Sequence, residues 1–105
     1  MSLVEPHGGA LRPRLLEGDA LAAERERAAR LPRLTVTSRE KGDLVMLGIG
    51  GFSPLAGFMS HADWKGVCDR MQTADGAFWP IPITLSAPPA FADGVRDGDD
   101  IALVD

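Results

Sequence analysis

Between residues 47 and 59, four glycines, Gly48, Gly50, Gly51 and Gly57, stand among the large apolar side chains Ile49, Phe52, Leu55, Phe58 and Met59. Glycine takes positive φ readily and lets the backbone pass close to another surface. The mixture therefore predicts a compact turn pressed into a core, neither a solvated loop nor a helix. From Ser60 the pattern changes. Ser60 followed by Asp63 is an N-cap signal, and Trp64, Val67, Cys68 and Met71 recur at i, i+3, i+4 and i+7, one apolar stripe along a helix. Cys68, on that stripe, is expected to be a buried small hydrophobe and not a nucleophile. His61 falls in the first turn, where the helix dipole disfavours protonation, and is expected at the surface.

Length bounds what such a turn can serve. At 105 residues and 45% hydrophobic content the chain is one globular domain at most, spanning 1–105, with little room for a cleft between two domains. The formal charge of −4 is divided unevenly, +2 over residues 1–42 and −6 over residues 43–105. An acidic half is a poor counter-surface for phosphates, so nucleic acid is disfavoured as a partner. The single cysteine excludes an internal disulfide and fits a reducing cytoplasm. No apolar run approaches the roughly 18 residues of a membrane span, and Glu5 and His7 precede any apolar stretch, unlike a secretory signal. A cytoplasmic protein without membrane association is expected.

Residues 1–18 read as an irregular strip, because Pro6, Gly8, Gly9 and Pro13 block regular helix, while Leu11, Leu15 and Leu16 can anchor it against something larger. His7 is expected in an exposed turn, although its flexible neighbours would also let it approach a ligand. A helix is predicted from Asp19, acting as its cap, with Leu21, Ala28 and Leu31 on one face and a Glu26–Arg30 pair on another. Pro32 ends it. Residues 34–37 are a strand candidate, and Thr37 with Glu40 has the spacing of a capping box, so a second helix should start near Ser38, carry Leu44 and Leu47 inward and stop at Gly48–Gly50. Residues 78–86 alternate apolar side chains with Pro80 and Pro82, which permits only an edge strand; the prolines beside Trp79 would also suit a docking surface. Pro88 and Pro89 should break the chain, turns follow at Asp93-Gly94 and Asp97-Gly98, and residues 101–104 read as a buried strand. A strand so close to the last residue needs a partner, which predicts the front of a longer protein.

Most catalytic constellations fail on spacing. The glycines at 48–57 lack the terminal lysine of a phosphate-binding loop, and Gly48, Gly50 and Gly51 follow a predicted helix where a dinucleotide fingerprint follows a strand. His7 and His61 are far apart, with no paired cysteines to complete a metal site. Asp93, Asp97, Asp99 and Asp100 do not match a calcium loop. The residues themselves thus point to a packing or docking module with no catalytic, cofactor-binding or metal-binding residue.

Four runs carry a family resemblance: LVEPHGGALRPRLL at 3–16, LPRLTVTSRE at 31–40, DLVMLGIGGFSPLAGFMSHADW at 43–64 and FWPIPITLS at 78–86. Together they resemble the N-terminal domain of the ATP sulfurylases, the sulfate adenylyltransferases. The resemblance implies an α+β, PUA-like fold, a mixed β pseudo-barrel with packed helices that is incomplete at the C-terminus here. It also implies an enzyme that converts ATP and sulfate to adenylyl sulfate and pyrophosphate with Mg²⁺, serving either sulfate assimilation or sulfur oxidation. The nucleotide and sulfate groups of that family lie downstream, in a Gln-x-Arg-Asn-Pro motif and a pair of close histidines. This chain has no asparagine and one glutamine, Gln72, so those roles cannot be carried over.

By resemblance, Phe52, Ser53, Pro54, Gly57, Phe58, Met59, Trp79 and Pro80 are assigned to packing and contact with the catalytic domain of the same enzyme. A homo-oligomer is a further expectation. Valine at Gly57 is expected to lower thermal stability or docking before it touches nucleotide affinity. Two other classes stay open at this point: a PUA-like RNA-binding module, which the −6 of the second half opposes, and a free-standing interaction protein.

Overall fold

Two helices begin where the sequence caps them. The computed structural model describes residues 4–105; Leu3, the first residue of the first family-like run, lies outside the described residues. Helix α2, Ser38–Gly48, opens on a complete capping box: the Thr37 hydroxyl accepts from the Glu40 amide at 3.2 Å and the Glu40 carboxylate accepts from the Thr37 amide at 2.8 Å. Helix α3, His61–Arg70, is capped by Ser60, whose hydroxyl accepts from the Asp63 amide. It ends at Met71 in the left-handed conformation, φ +56°.

Helix α1, Gly18–Ala28, departs from expectation. Glu17 holds the cap position without a side-chain hydrogen bond, and Asp19 lies inside the first turn. Because the helix closes at Ala28, Arg30 falls beyond it, so the i,i+4 pairing with Glu26 has no helical register to form in. Arg27 takes the ionic role instead, meeting Glu24 at 2.7 Å and bonding to Asp100 in the turn before the last strand. No residue of α1 is buried.

The sheet is a parallel pair, β1 (Arg33–Thr35) with β2 (Ala102–Val104), in the register Leu34 to Leu103. The strand predicted over 34–37 is thus shifted one residue earlier and is shorter. The strand near the last residue finds its partner in β1. Among the described residues this is the one sheet, so the pseudo-barrel implied by resemblance is represented by a small sheet within an α+β fold.

Residues 78–86 do not form a strand; they touch the sheet pattern only through an isolated antiparallel bridge between Gln72 and Phe78. Pro80 and Pro82 remove the donors a ladder needs. Pro88 and Pro89 start a short helix, α4 (Pro89–Asp93), where breakage was expected. Proline suits the first helical turn, whose amides lack helical partners in any case.

Leu47 from α2, Leu55 from the glycine turn, Val67 from α3, and Trp79 and Ile83 from the extended segment form the core, with Phe52, Phe58 and Met59 packed against it. The α3 stripe is corrected here. Only Val67 is buried, beside Gly66, whereas Trp64, Cys68 and Met71 are exposed. Periodicity marks one face of a helix, but a face is buried only as widely as a neighbouring element covers it. Cys68 is therefore a surface thiol, and its assignment as a buried hydrophobe does not hold.

Candidate functional site

The N-terminal strip shapes the glycine turn by lying along it. Gly50 has φ +81°, and a Cβ there would sit 3.1 Å from the Pro13 nitrogen. The close approach is fixed by hydrogen bonds: the Arg14 amide donates to the Gly48 carbonyl at 2.8 Å and the Arg12 amide to the Ser53 hydroxyl at 2.8 Å. Ser53, almost fully buried, donates in turn to the Gly50 carbonyl at 2.7 Å. At Gly8, φ +79°, a Cβ would come within 2.7 Å of the Pro54 ring. The strip can follow the turn this closely only because side chains are missing at these points.

The strip also delivers His7 to the segment after α3. His7 Nε2 lies 2.6 Å from the Phe78 carbonyl, which can only accept, so Nε2 carries the proton. The imidazole leans on Trp79 with ring centroids 5.8 Å apart, and Phe52 meets Trp79 in an edge-on arrangement at 5.7 Å. The Trp79 amide donates to the Met71 carbonyl at 2.8 Å, holding the indole inward. The indole Nε1 is buried and has no hydrogen-bond partner among the described residues.

These residues frame an open apolar groove of about 390 Å³, lined by His7, residues 51–53 and residues 78–81. Phe78 and Ile81 stand at its rim, 57% and 55% exposed. A second hollow of about 410 Å³ lies beyond residues 54–58 and is lined by Ser60, Asp63, Thr73, Ala74 and Asp75. Its polar groups are engaged locally. Asp63 accepts from the Ala74 amide at 2.8 Å, and the Thr73 hydroxyl bonds to Asp75 and holds that carboxyl below its usual range.

The residues assigned to packing and domain contact divide by burial. Ser53 and Trp79 are buried, Phe52, Pro54, Phe58 and Met59 are half-buried, and Pro80 is exposed. Gly57 is half-buried, yet a Cβ there would meet nothing within 4 Å and its φ is not positive. A steric role for Gly57 is thus not supported. The close approaches belong to Gly8, Gly48, Gly50, Gly51 and Gly66, those at Gly48 and Gly51 being to the ends of the Leu15 and Met46 side chains. His61 is exposed and lies against Trp64, centroids 5.5 Å apart. Sequence reasoning missed the contact of His7 with Phe78 and Trp79, which joins positions 71 residues apart. It also missed the rim role of Ile81.

Among the described residues no group of three or more His, Cys, Asp or Glu side chains is placed to hold a metal ion, and the glycine turn lacks the geometry and lysine of a phosphate cradle. What the geometry does present is an apolar groove backed by the core.

A small α+β domain with an apolar groove beside its core is the class these features define, and the PUA-like domain family matches residues 4–105. The chain belongs to that family. It is 60% identical over 104 residues to the sulfate adenylyltransferase of Thiobacillus denitrificans, covering 98% of this chain and 25% of that protein. The sulfate adenylyltransferase of Syntrophobacter fumaroxidans is also 60% identical, over 105 residues and 26% of its length. Among solved structures, a hexameric APS kinase from Thiobacillus denitrificans superposes with a TM-score of 0.86 at 40% identity, over 99% of this chain and 21% of that one. The chain therefore spans about a quarter of the length of the relatives it matches. No helix among the described residues is long and apolar enough to cross a membrane.

Proposed function

We propose that this chain is the front, non-catalytic domain of a sulfate adenylyltransferase acting in the cytoplasm, and that it docks on the portion of the polypeptide that converts ATP and sulfate to adenylyl sulfate and pyrophosphate. The observation that carries the reading is 60% identity to a sulfate adenylyltransferase over 98% of the chain but a quarter of that protein. ATP, sulfate and Mg²⁺ are held by the remaining three quarters. Adenylyl transfer needs charge neutralisation around the α-phosphate, from a metal ion and basic side chains facing one site. In this chain the 43–105 half is acidic, and the groove beside Trp79 is apolar. Likeness to a hexameric APS kinase supports self-association of the longer polypeptide.

The test is a hybrid enzyme in which this chain replaces the matching quarter of the Thiobacillus denitrificans protein. Pyrophosphate release with ATP, sulfate and Mg²⁺ within about tenfold of the parent is expected. A folded hybrid with no release would overturn the reading.

A further inference from the structure

The chain leaves the isolated bridge at Phe78 and bends at Ile81, so strict alternation does not carry through the segment. Trp79 is turned into the core at 8% exposure, while its neighbour Phe78 and then Ile81 are turned out at 57% and 55%. Two large apolar side chains thus stand exposed a few residues apart, over a hollow whose floor is the buried indole. The backbone there cannot recruit a further strand. Pro80 and Pro82 carry no amide hydrogen, and the Trp79 amide is already bonded to the Met71 carbonyl. Whatever covers this edge does so with side chains.

We infer that the groove between His7 and Ile81 is the seat of the catalytic portion of the same polypeptide, which inserts an apolar side chain between Phe78 and Ile81. This rests on the function proposed above and gives its docking a place. The occupant is argued from length: three quarters of each sulfate adenylyltransferase relative lies outside the region this chain matches. Contiguity with the core supports it. Phe52 and Trp79 belong to both the groove and the core, so an inserted side chain extends the packed interior and does not rest on a polar surface. The exposed leucines Leu15 and Leu16 line a different hollow beside Arg14 and Arg25 and make no part of this seat.

The hybrid enzyme tests the placement with the double substitution Phe78→Asp and Ile81→Asp, and with Leu15→Asp and Leu16→Asp as the control. The parent hybrid is expected to melt in one transition. The Phe78/Ile81 pair should split it into two and accelerate proteolysis between the portions at least fivefold, whereas the control pair should leave one transition. In the 105-residue chain alone the Phe78/Ile81 pair should shift Tm by less than about 3 °C, because both side chains are exposed there. If aspartate unfolds the free chain, Phe78→Ser with Ile81→Thr takes its place. An active hybrid whose groove variants melt as the parent does overturns the inference while leaving the proposed function standing. A hybrid without pyrophosphate release overturns the proposed function itself. Dimerisation of the free chain that the Phe78/Ile81 pair abolishes would assign the groove to a second copy and also overturn the inference.

Discussion

Glu40 and Ser86 lie 46 residues apart and meet on one carboxylate oxygen, which accepts the Ser86 amide at 2.6 Å and the Ser86 hydroxyl at 2.9 Å. The other oxygen accepts the Thr37 amide at 2.8 Å, so one buried side chain caps α2 and clamps the end of the extended segment to it. The Thr37 and Ser86 amides favour the ionised form and lower the Glu40 pKa from 4.5 to about 2. A carboxyl with a lowered folded-state pKa contributes stability that is complete above its unfolded value and is lost as pH falls through the folded one. Glu40→Gln should therefore lower Tm at pH 7, by on the order of 10 °C for a domain of this size. The gap between variant and wild type should narrow from pH 4.5 to pH 2, as circular dichroism melts can show.

Two helical glycines should respond to alanine with opposite signs. At Gly42 in α2 a Cβ meets nothing within 4 Å, so Gly42→Ala should stabilise by about 0.5–1 kcal/mol through its helix propensity. At Gly66 in α3 a Cβ would sit 2.3 Å from the Gln72 carbonyl, where the chain doubles back towards the bridge with Phe78. Gly66→Ala should destabilise by more than about 1 kcal/mol. Gly57→Val, with open space around its Cβ, should leave the urea midpoint close to wild type.

Ser53 joins the glycine turn to the N-terminal strip through one hydroxyl. Ser53→Ala leaves the Arg12 amide and the Gly50 carbonyl without that partner, at a cost of about 1–3 kcal/mol. Trypsin should cleave after Arg14 faster in the variant than in wild type, a difference that mass spectrometry of timed digests reads directly.

Cys68 is exposed in the folded chain. One equivalent of thiol should react with a disulfide reagent without denaturant, and adding urea should not increase the number of reactive groups.

The parts of this fold legible in the sequence are those set by neighbours a few residues away. The Thr37–Glu40 box and the Ser60 cap need only three residues of context, and both form. What the sequence withheld depends on distant coverage. The stripe from Trp64 to Met71 is correctly periodic, yet Val67 alone of the four is buried in the core, while Trp64, Cys68 and Met71 stay exposed. The Glu40 carboxylate could be read as a cap but not as a clamp, since Ser86 arrives from 46 residues away. The groove is legible in part: Phe52, Ser53, Trp79 and Pro80 carry the family-like runs, but the exposure of Phe78 and Ile81 depends on the bend at Ile81 and on His7 reaching the Phe78 carbonyl.

The proposed function requires that this domain supply none of the reacting groups of adenylyl transfer. Its most direct test is pyrophosphate release by the purified 105-residue chain with ATP, sulfate and Mg²⁺. No turnover above the enzyme-free rate is predicted, and sulfate-dependent turnover by the chain alone would contradict it.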